Sequence, residues 1–191
     1  MASRLLELSD QLALRRFVKS LPPKVGWIID RCGRLATGGR LWAGFGVALA
    51  LINPRARRAS RAGLVAYAAS SAITNGPVKW MSKRSRPRGL LLADLPRRGR
   101  QPRTASLPSS HTASATAFTV AASIEFPAAA PVLATATAMV ALQRMQAVRH
   151  YPTDVIVGVV TGAAIGAASA VVIRRLVRRR AEPSVSTVGR S

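Results

Sequence analysis

The chain has little of several residue types on which other classes of protein depend. Its 191 residues include one cysteine, two histidines and seven acidic residues, against 29 lysines and arginines. The single cysteine, Cys32, excludes an intrachain disulfide and a cysteine-based zinc site. So few carboxylates also argue against a calcium cage and against an acidic solvating tail. Hydrophobic residues nevertheless make up 49% of the chain, enough for a core that packing alone must stabilise.

The formal net charge of +22 does not have the pattern of a nucleic-acid-binding surface. Aromatic residues are only 5% of the chain, too few for a series of base-stacking platforms. The three tryptophans, Trp27, Trp42 and Trp80, lie within or beside apolar windows, where anchoring at a membrane interface suits them better. We therefore expect no nucleic-acid partner.

Long windows without charged residues indicate membrane helices. Such windows cover residues 41–54, 62–78, 104–124, 126–143 and 155–173. Several are apolar on all sides, and the last has the length of about 17 to 25 residues that spans a bilayer. The alternative is a soluble, alanine-rich bundle, favoured by a mean hydropathy of only +0.18. Because such a bundle needs polar outer faces that these windows lack, we expect an all-α, integral-membrane helical bundle of about five to six helices.

The windows and their helix breakers divide the chain into three parts. Residues 1–39 are predicted to form an N-terminal interfacial or amphipathic segment, residues 40–176 the membrane domain, and residues 177–191 a basic, disordered tail. Helices are predicted near residues 41–53, 62–81, 110–125, 128–148 and 153–176, with a loop over 88–108 that contains a short helix near 90–95. Gly158, Gly162 and Gly166 repeat every four residues, which allows close approach of another helix.

Both histidines lie beside residues suited to phosphate chemistry. His111 follows Ser109 and Ser110 at the start of a predicted helix, where a serine side chain can cap the helix and free backbone N–H groups form an anion site. His150 precedes Asp154 by four residues. A carboxylate at that spacing can accept the Nδ1–H of the imidazole, which leaves Nε2 free as a nucleophile or base.

Cations are available near both histidines. Lys79 and Arg86 are seven residues apart, about two helical turns, so both face one side if the helix continues, although Pro87 must end it. A phosphate group can then be held by cations, serine hydroxyls and a helix N-terminus. The cations are Lys79, Arg86 and Arg144. His150 is then in position for in-line attack, with His111 placed to protonate the leaving oxygen.

Three motifs, in this order, resemble the signature of the type 2 phosphatidic acid phosphatase family, written K-x6-R-P, P-S-G-H and S-R-x5-H-x3-D. Nine of the eleven specified positions agree, and they are Lys79, Arg86, Pro87, Pro108, Ser109, His111, Arg144, His150 and Asp154. Ser110 replaces the glycine and Gln143 replaces the serine. The resemblance covers roughly residues 40–176. This part of the chain is also similar to the phosphatase module of actinobacterial proteins in which that module is fused to a lipid kinase.

The resemblance implies a membrane phosphatase without metal or other cofactor. It implies a phosphohistidine intermediate on His150, activation by Asp154 and acid catalysis by His111. Phosphate contacts are expected from Lys79, Arg86, Ser109, Ser110 and Arg144. The implied substrate is a phosphomonoester or diphosphate of a membrane lipid, of the phosphatidic acid or polyprenyl phosphate type. The alternative is a non-catalytic member that binds anionic lipid headgroups, for which Ser110 is the strongest argument.

Arginines give conflicting signals about membrane orientation. Nine of them are predicted on the side opposite the site, which favours a cytoplasmic location for that side: Arg55, Arg57, Arg58, Arg61, Arg174, Arg175, Arg178, Arg179 and Arg180. Cations between residues 83 and 103 count against this orientation, but some of them serve phosphate binding. The resemblance implies a site outside the cytoplasm, so we expect a plasma-membrane protein with an extracytoplasmic site. The oligomeric state is left open.

Overall fold

A computed structural model of the protein describes residues 2–97, 101–102 and 104–181. These residues form eight α-helices and no strand, so the predicted all-α class is confirmed. The helices are α1 (Ala2–Ser20), α2 (Pro23–Leu35), α3 (Arg40–Ile52), α4 (Pro54–Ile73), the single turn α5 (Lys79–Met81), α6 (Ser110–Glu125), α7 (Ala130–Gln146) and α8 (Pro152–Ala181). The predicted disordered tail over 177–191 is wrong for residues 177–181, which continue α8, and from residue 182 onward it lies outside the described residues.

Helix α6 lies at the centre of the bundle, packed against α4, α7 and α8. Its sequence consists mainly of alanine, serine and threonine, and small side chains let neighbouring helices approach from several directions. One large side chain, Phe118, is fully buried and packs against Trp42 of α3 with 5.3 Å between ring centroids. The helix with the smallest side chains is therefore the core of the fold.

The glycines of α8 make the closest contact with α6. A Cβ atom added to Gly158 would lie 2.8 Å from the carbonyl oxygen of Ser109, and one on Gly162 would lie 2.2 Å from that of Ala113. Gly166 continues the same contact one turn further along. The close helix approach predicted from the glycine spacing is confirmed, and it brings the first turns of α6 and α8 together.

The described residues contain one helix that is long and apolar enough to cross a bilayer, Pro152–Val177 of α8, with a mean hydropathy of 2.3. The pair α2 and α3 meets the same criteria only when taken together, and it is bent by 70°. The outer face of α8 exposes apolar side chains such as Ile156 and Val160. This face suits contact with acyl chains rather than with water.

Helix α4 differs from its prediction at both ends, each time for a local reason. Helix α4 begins eight residues before the predicted start, because the side chain of Asn53 accepts a hydrogen bond from the N–H of Ala56 and Pro54 suits a first helical turn. The predicted helix over 62–81 is also interrupted at Thr74–Val78, where Gly76 has non-helical backbone angles and Pro77 follows it. Lys79 consequently lies in a separate turn that ends at Met81.

The N-terminal segment contains two helices that pack on the bundle in different places. Helix α2 lies along α7, where Nε2 of Gln146 donates a hydrogen bond of 2.7 Å to the carbonyl oxygen of Gly26. Helix α1 packs through the fully buried Leu14 against residues of the loop before α6 and of the α7–α8 connection. Helix α1 therefore covers the segment that leads into the predicted site.

Candidate active site

The structure brings the three sequence motifs to one end of the bundle. The second and third motifs are joined directly, because the N–H of Ser109 donates a 3.0 Å hydrogen bond to the carbonyl oxygen of Asp154. The first motif joins the third through Nη1 of Arg86, which lies 2.9 Å from the carbonyl oxygen of Arg149. The end of α7, the start of α6 and the start of α8 therefore surround a single site.

His150 is buried, with 2% of its surface exposed, and both ring nitrogens have partners. Nδ1 lies 2.8 Å from the carbonyl oxygen of Ser106. A carbonyl can only accept, so Nδ1 carries the proton and Nε2 has a lone pair. Nε2 lies 3.3 Å from Nη1 of Arg86. The sequence predicts that Asp154 accepts the Nδ1–H of His150, but Oδ2 of Asp154 is 3.7 Å from Nδ1, too far for a hydrogen bond.

The surroundings of His150 favour its neutral form. Burial is the largest effect and lowers the pKa of His150 below its ordinary value. Asp154 opposes this shift, while the positive charges of Arg86 and Lys79 add to it. Because the folded-state pKa is lowered, the imidazole keeps an unprotonated Nε2 at neutral pH. A nucleophile needs that lone pair.

Asp154 is completely buried and accepts hydrogen bonds from two donors. The N–H of Tyr151 lies 2.9 Å from Oδ2, and Nη1 of Arg84 lies 2.7 Å from Oδ1. The carboxylate is thus held by the residue that precedes its own helix and by an arginine from the first motif. No motif in the sequence singles out Arg84, although it lies between Lys79 and Arg86.

Arg86 is fixed by the loop that precedes α6. Nε donates to the carbonyl oxygen of Thr104 at 3.0 Å, and Nη2 donates to its hydroxyl at 3.2 Å. Lys79 does not share a helical face with Arg86 as predicted, because Ser82 already has extended backbone angles. Burial and the charge of Arg86 lower the pKa of Lys79 to about 8. The two cations therefore approach the site from different segments.

The serines before α6 behave differently from the predicted cap. Ser109 is the N-cap residue, but its side chain makes no capping hydrogen bond and instead lies 2.9 Å from the hydroxyl of Thr112. The hydroxyl of Ser110 is buried without a hydrogen-bond partner among the described residues, and so is Nε of Arg144. Nη2 of Arg144 donates to the hydroxyl of Thr37 at 2.6 Å. Ser110 and Arg144 thus retain buried donor groups for an oxygen-rich ligand.

His111 is partly exposed in the first turn of α6, close enough to Arg144 and His150 for electrostatic interaction. Burial first, and then the charge of Arg144, lower the pKa of His111 to about 3, so its imidazole is neutral in the free site. Every predicted site residue therefore lies at this end of the bundle. Among the described residues, no three histidine, cysteine, aspartate or glutamate side chains form a group that could hold a metal ion. The donor set is cationic and hydroxylic, which suits an anion rather than a metal.

Comparison with known proteins identifies the family. The model of the PAP2 superfamily matches residues 61–178, more than half of the chain. The chain belongs to the PAP2 superfamily, which confirms its resemblance to type 2 phosphatidic acid phosphatases and makes it a phosphatase by class. No curated protein matches the sequence.

Solved structures agree with the fold. A transmembrane PAP2 type phosphatidylglycerolphosphate phosphatase from Bacillus subtilis is similar over 92% of this chain and 87% of its own, with a TM-score of 0.67 and 14% identity. Aquifex aeolicus LpxE is similar over 83% of this chain and 93% of its own, with a TM-score of 0.65 and 21% identity. At 14% and 21% identity, the similarity shows a shared helical fold alone.

Proposed function

We propose that the protein is a metal-independent lipid phosphate phosphatase that works through a phosphohistidine on His150. The observation that carries this proposal is the orientation of the imidazole. Its Nδ1–H is held by the carbonyl of Ser106, and its Nε2 is turned toward Arg86. A buried, neutral imidazole with Nε2 beside a guanidinium is arranged to attack a phosphorus atom whose oxygens the guanidinium binds.

The reaction has two displacements. In the first, the Nε2 lone pair of His150 forms an N–P bond while the P–O bond to the lipid breaks. His111, which takes up a proton from water once the negative charge of the bound phosphate offsets the surrounding cations, gives that proton to the leaving oxygen. In the second, water attacks the phosphohistidine and gives its proton to His111. The N–P bond breaks, its electron pair returns to Nε2, and inorganic phosphate leaves. The negative charge of Asp154 favours the positively charged imidazole ring of the intermediate.

The phosphate group would be held by donors from all three motifs. Lys79, Arg86 and Arg144 supply positive charge, and Ser109 and Ser110 supply hydroxyl groups. The hydroxyl of Ser110 and Nε of Arg144, both buried and without a hydrogen-bond partner in the part of the chain that the structure describes, support this assignment, because such donors are costly unless an acceptor reaches them. A tetrahedral phosphate offers several acceptor oxygens at once.

The site's surroundings support a lipid as the phosphorylated substrate. Trp80 and Met81 follow Lys79 directly and are 87% and 75% exposed. Exposed tryptophan beside a lysine is typical of the headgroup level of a membrane, where the phosphate of a lipid lies. We propose a phosphomonoester or diphosphate of the phosphatidic acid or polyprenyl phosphate type.

We further propose that the site faces the outside of the plasma membrane. Arg58 and Arg174 both approach Glu125 at the opposite end of the bundle, at 3.8 and 2.5 Å. The arginines of α4 and α8 therefore share the end away from the site, and the positive-inside rule places that end in the cytoplasm. Leu90 is 95% exposed near the site and suits a cysteine probe once the exposed Cys32 is replaced. Labelling of Leu90→Cys in intact cells supports this orientation, and labelling only after lysis contradicts it.

The decisive experiment measures phosphate release from detergent-dispersed phosphatidic acid and polyprenyl phosphates in the presence of a metal chelator. The wild-type protein is expected to release phosphate, and His150→Ala is expected to abolish release while still inserting into membranes. Binding of these lipids without any release by the wild-type protein would instead establish the non-catalytic alternative. Retention of a tenth of the turnover by His150→Ala would exclude His150 as the nucleophile.

A further inference from the structure

A buried ionic chain runs from helix α1 to the proposed catalytic carboxylate. Asp10 of α1 is 3% exposed and accepts a hydrogen bond from Nη2 of Arg84. Nη1 of the same guanidinium donates to Oδ1 of Asp154 at 2.7 Å and to the hydroxyl of Thr153 at 2.6 Å. Arg84 also lies over the ring of Tyr151, 4.7 Å from its centroid. One guanidinium thus bridges two buried carboxylates that are 144 positions apart in the chain.

Docking of α1 does not by itself require this arrangement. Leu14 already packs in an apolar cluster, and Arg15 and Lys19 form ion pairs of 2.6 and 2.7 Å with the largely exposed Asp94. Burying Asp10 as well removes a charge from water, which costs free energy unless the partner geometry is good. Asp10 also accepts hydrogen bonds from the N–H and the hydroxyl of Thr153, the residue before Asp154. Its contacts therefore lie at Arg84 and at the first turn of α8, next to Asp154, and not at the apolar cluster or the ion pairs that attach the rest of α1.

We propose, on the basis of the proposed function, that Arg84 and Asp10 are positioning residues that act on His150 through Asp154. They set how much negative charge Asp154 contributes to stabilising the protonated imidazole of His150. Arg84 orients the carboxylate of Asp154 and partly neutralises its negative charge. The negative charge of Asp10 compensates the positive charge of Arg84, so that Asp154 keeps enough negative charge to stabilise the protonated imidazole. Helix α1 would then be part of the catalytic apparatus although it contributes no residue to the phosphate.

The proposal predicts opposite effects for the two residues. Asp10, Arg84 and Asp154 together carry one net negative charge beside His150. Loss of the arginine charge leaves two negative charges and stabilises the imidazolium, whereas loss of the Asp10 charge leaves none and destabilises it. The remaining charged or titratable groups around the imidazole are the same in each variant: Arg86 from the loop, Lys79 from α5, His111 from α6, Arg144 from α7 and Arg149 from the α7–α8 connection.

The test is the pH profile of kcat/KM on one lipid phosphate, because activity rises with pH as His150 loses its proton. Arg84→Gln is expected to move the rising limb to higher pH by about 0.5 to 1 unit, and Asp10→Asn to move it to lower pH by a similar amount. Ionisation of the substrate is common to all variants and does not alter the comparison. Asp10→Glu, which keeps the charge, is expected to restore the wild-type limb.

Asp94→Asn is the matched control, since it removes the ion pairs of α1 with the loop without touching Asp154. Its rising limb is expected to stay at the wild-type position. The proposal would be overturned if the rising limbs of the Arg84→Gln and Asp10→Asn profiles stay at the wild-type position, or if both move in the same direction. If Asp10→Asn does not fold, the direction of the Arg84→Gln shift decides. These outcomes differ from failure of the proposed function, in which the wild-type protein itself releases no phosphate.

Discussion

The imidazole of His150 is held by a backbone carbonyl rather than by a carboxylate. Nδ1 lies 2.8 Å from the carbonyl oxygen of Ser106 but 3.7 Å from Oδ2 of Asp154. In a serine-protease triad one carboxylate both fixes the tautomer and supports the charged ring. Here the two tasks belong to different groups, because Ser106 fixes the tautomer and Asp154 contributes charge. This division determines how substitutions of Asp154 should behave.

Asp154→Asn is expected to lower kcat by about 100-fold, the cost of one electrostatic partner in a water-excluded site. The loss should be smaller than the roughly 10⁴-fold loss seen where the carboxylate also holds the tautomer. Single-turnover kinetics would measure it, with His150→Ala as the reference for complete loss. A variant as inactive as His150→Ala, yet correctly folded, would show that Asp154 also orients the ring.

His111→Ala is expected to slow substrates with basic leaving groups most, because a general acid matters most when the departing alkoxide is a strong base. A series of phosphate esters whose leaving alcohols differ in pKa would measure this effect. The slope of log kcat against leaving-group pKa should become steeper in the variant than in the wild type. Equal slopes for the wild type and the variant would show that His111 is not the general acid.

Ser110→Gly is expected to change activity by less than tenfold, about 1.4 kcal/mol in barrier. Ser110 begins α6, and Val148 is the only non-glycine residue with positive φ among those described, so Ser110 does not need the conformational freedom of glycine. Steady-state kinetics on one lipid phosphate would measure the change. A much larger gain would mean that the natural serine impairs the site and would favour the non-catalytic interpretation.

The site motifs were predictable from the sequence because each lies at a helix end that local residues define. The predicted helix over 110–125 is confirmed to the residue, since Ser109 and Pro127 bound it, and the motif spacing predicts His150 and Asp154 as site residues. The carbonyl of Ser106 was not predictable, because any residue type supplies one. The bridge from Asp10 to Arg84 depends on tertiary packing of α1, which no local pattern in the sequence specifies.

Lys79 should define the falling limb of the pH profile. Burial and the charge of Arg86 lower its pKa to about 8, so its charge is present below that pH and is lost as the pH rises through it. We expect kcat/KM to fall above about pH 8 as phosphate binding weakens. Lys79→Arg keeps the charge and should move the falling limb up by about one pH unit or more. The exposed Lys83, changed to arginine, is the control, and equal profiles for the two variants would assign the limb to another group.

Gly162 and Gly44 provide a matched test of how α6 and α8 hold the site together. An alanine Cβ at Gly162 would lie 2.2 Å from the carbonyl oxygen of Ala113, whereas one at Gly44 of α3 meets nothing within 4 Å. Gly162→Ala must separate the two helices that carry His111 and Asp154, at a cost of about 1 to 3 kcal/mol in the free energy of unfolding.

Gly44→Ala is expected to be neutral or to stabilise α3 by up to about 1 kcal/mol, since alanine has the higher helix propensity. Thermal unfolding in detergent would compare the two variants with the wild type, and phosphate release would be measured on the same samples. Because Gly162 continues the contact that Gly158 makes with Ser109 beside the site, Gly162→Ala should lose activity at temperatures where it is still folded. Equal stability and activity in the two variants would show that the site does not depend on this close approach of α6 and α8.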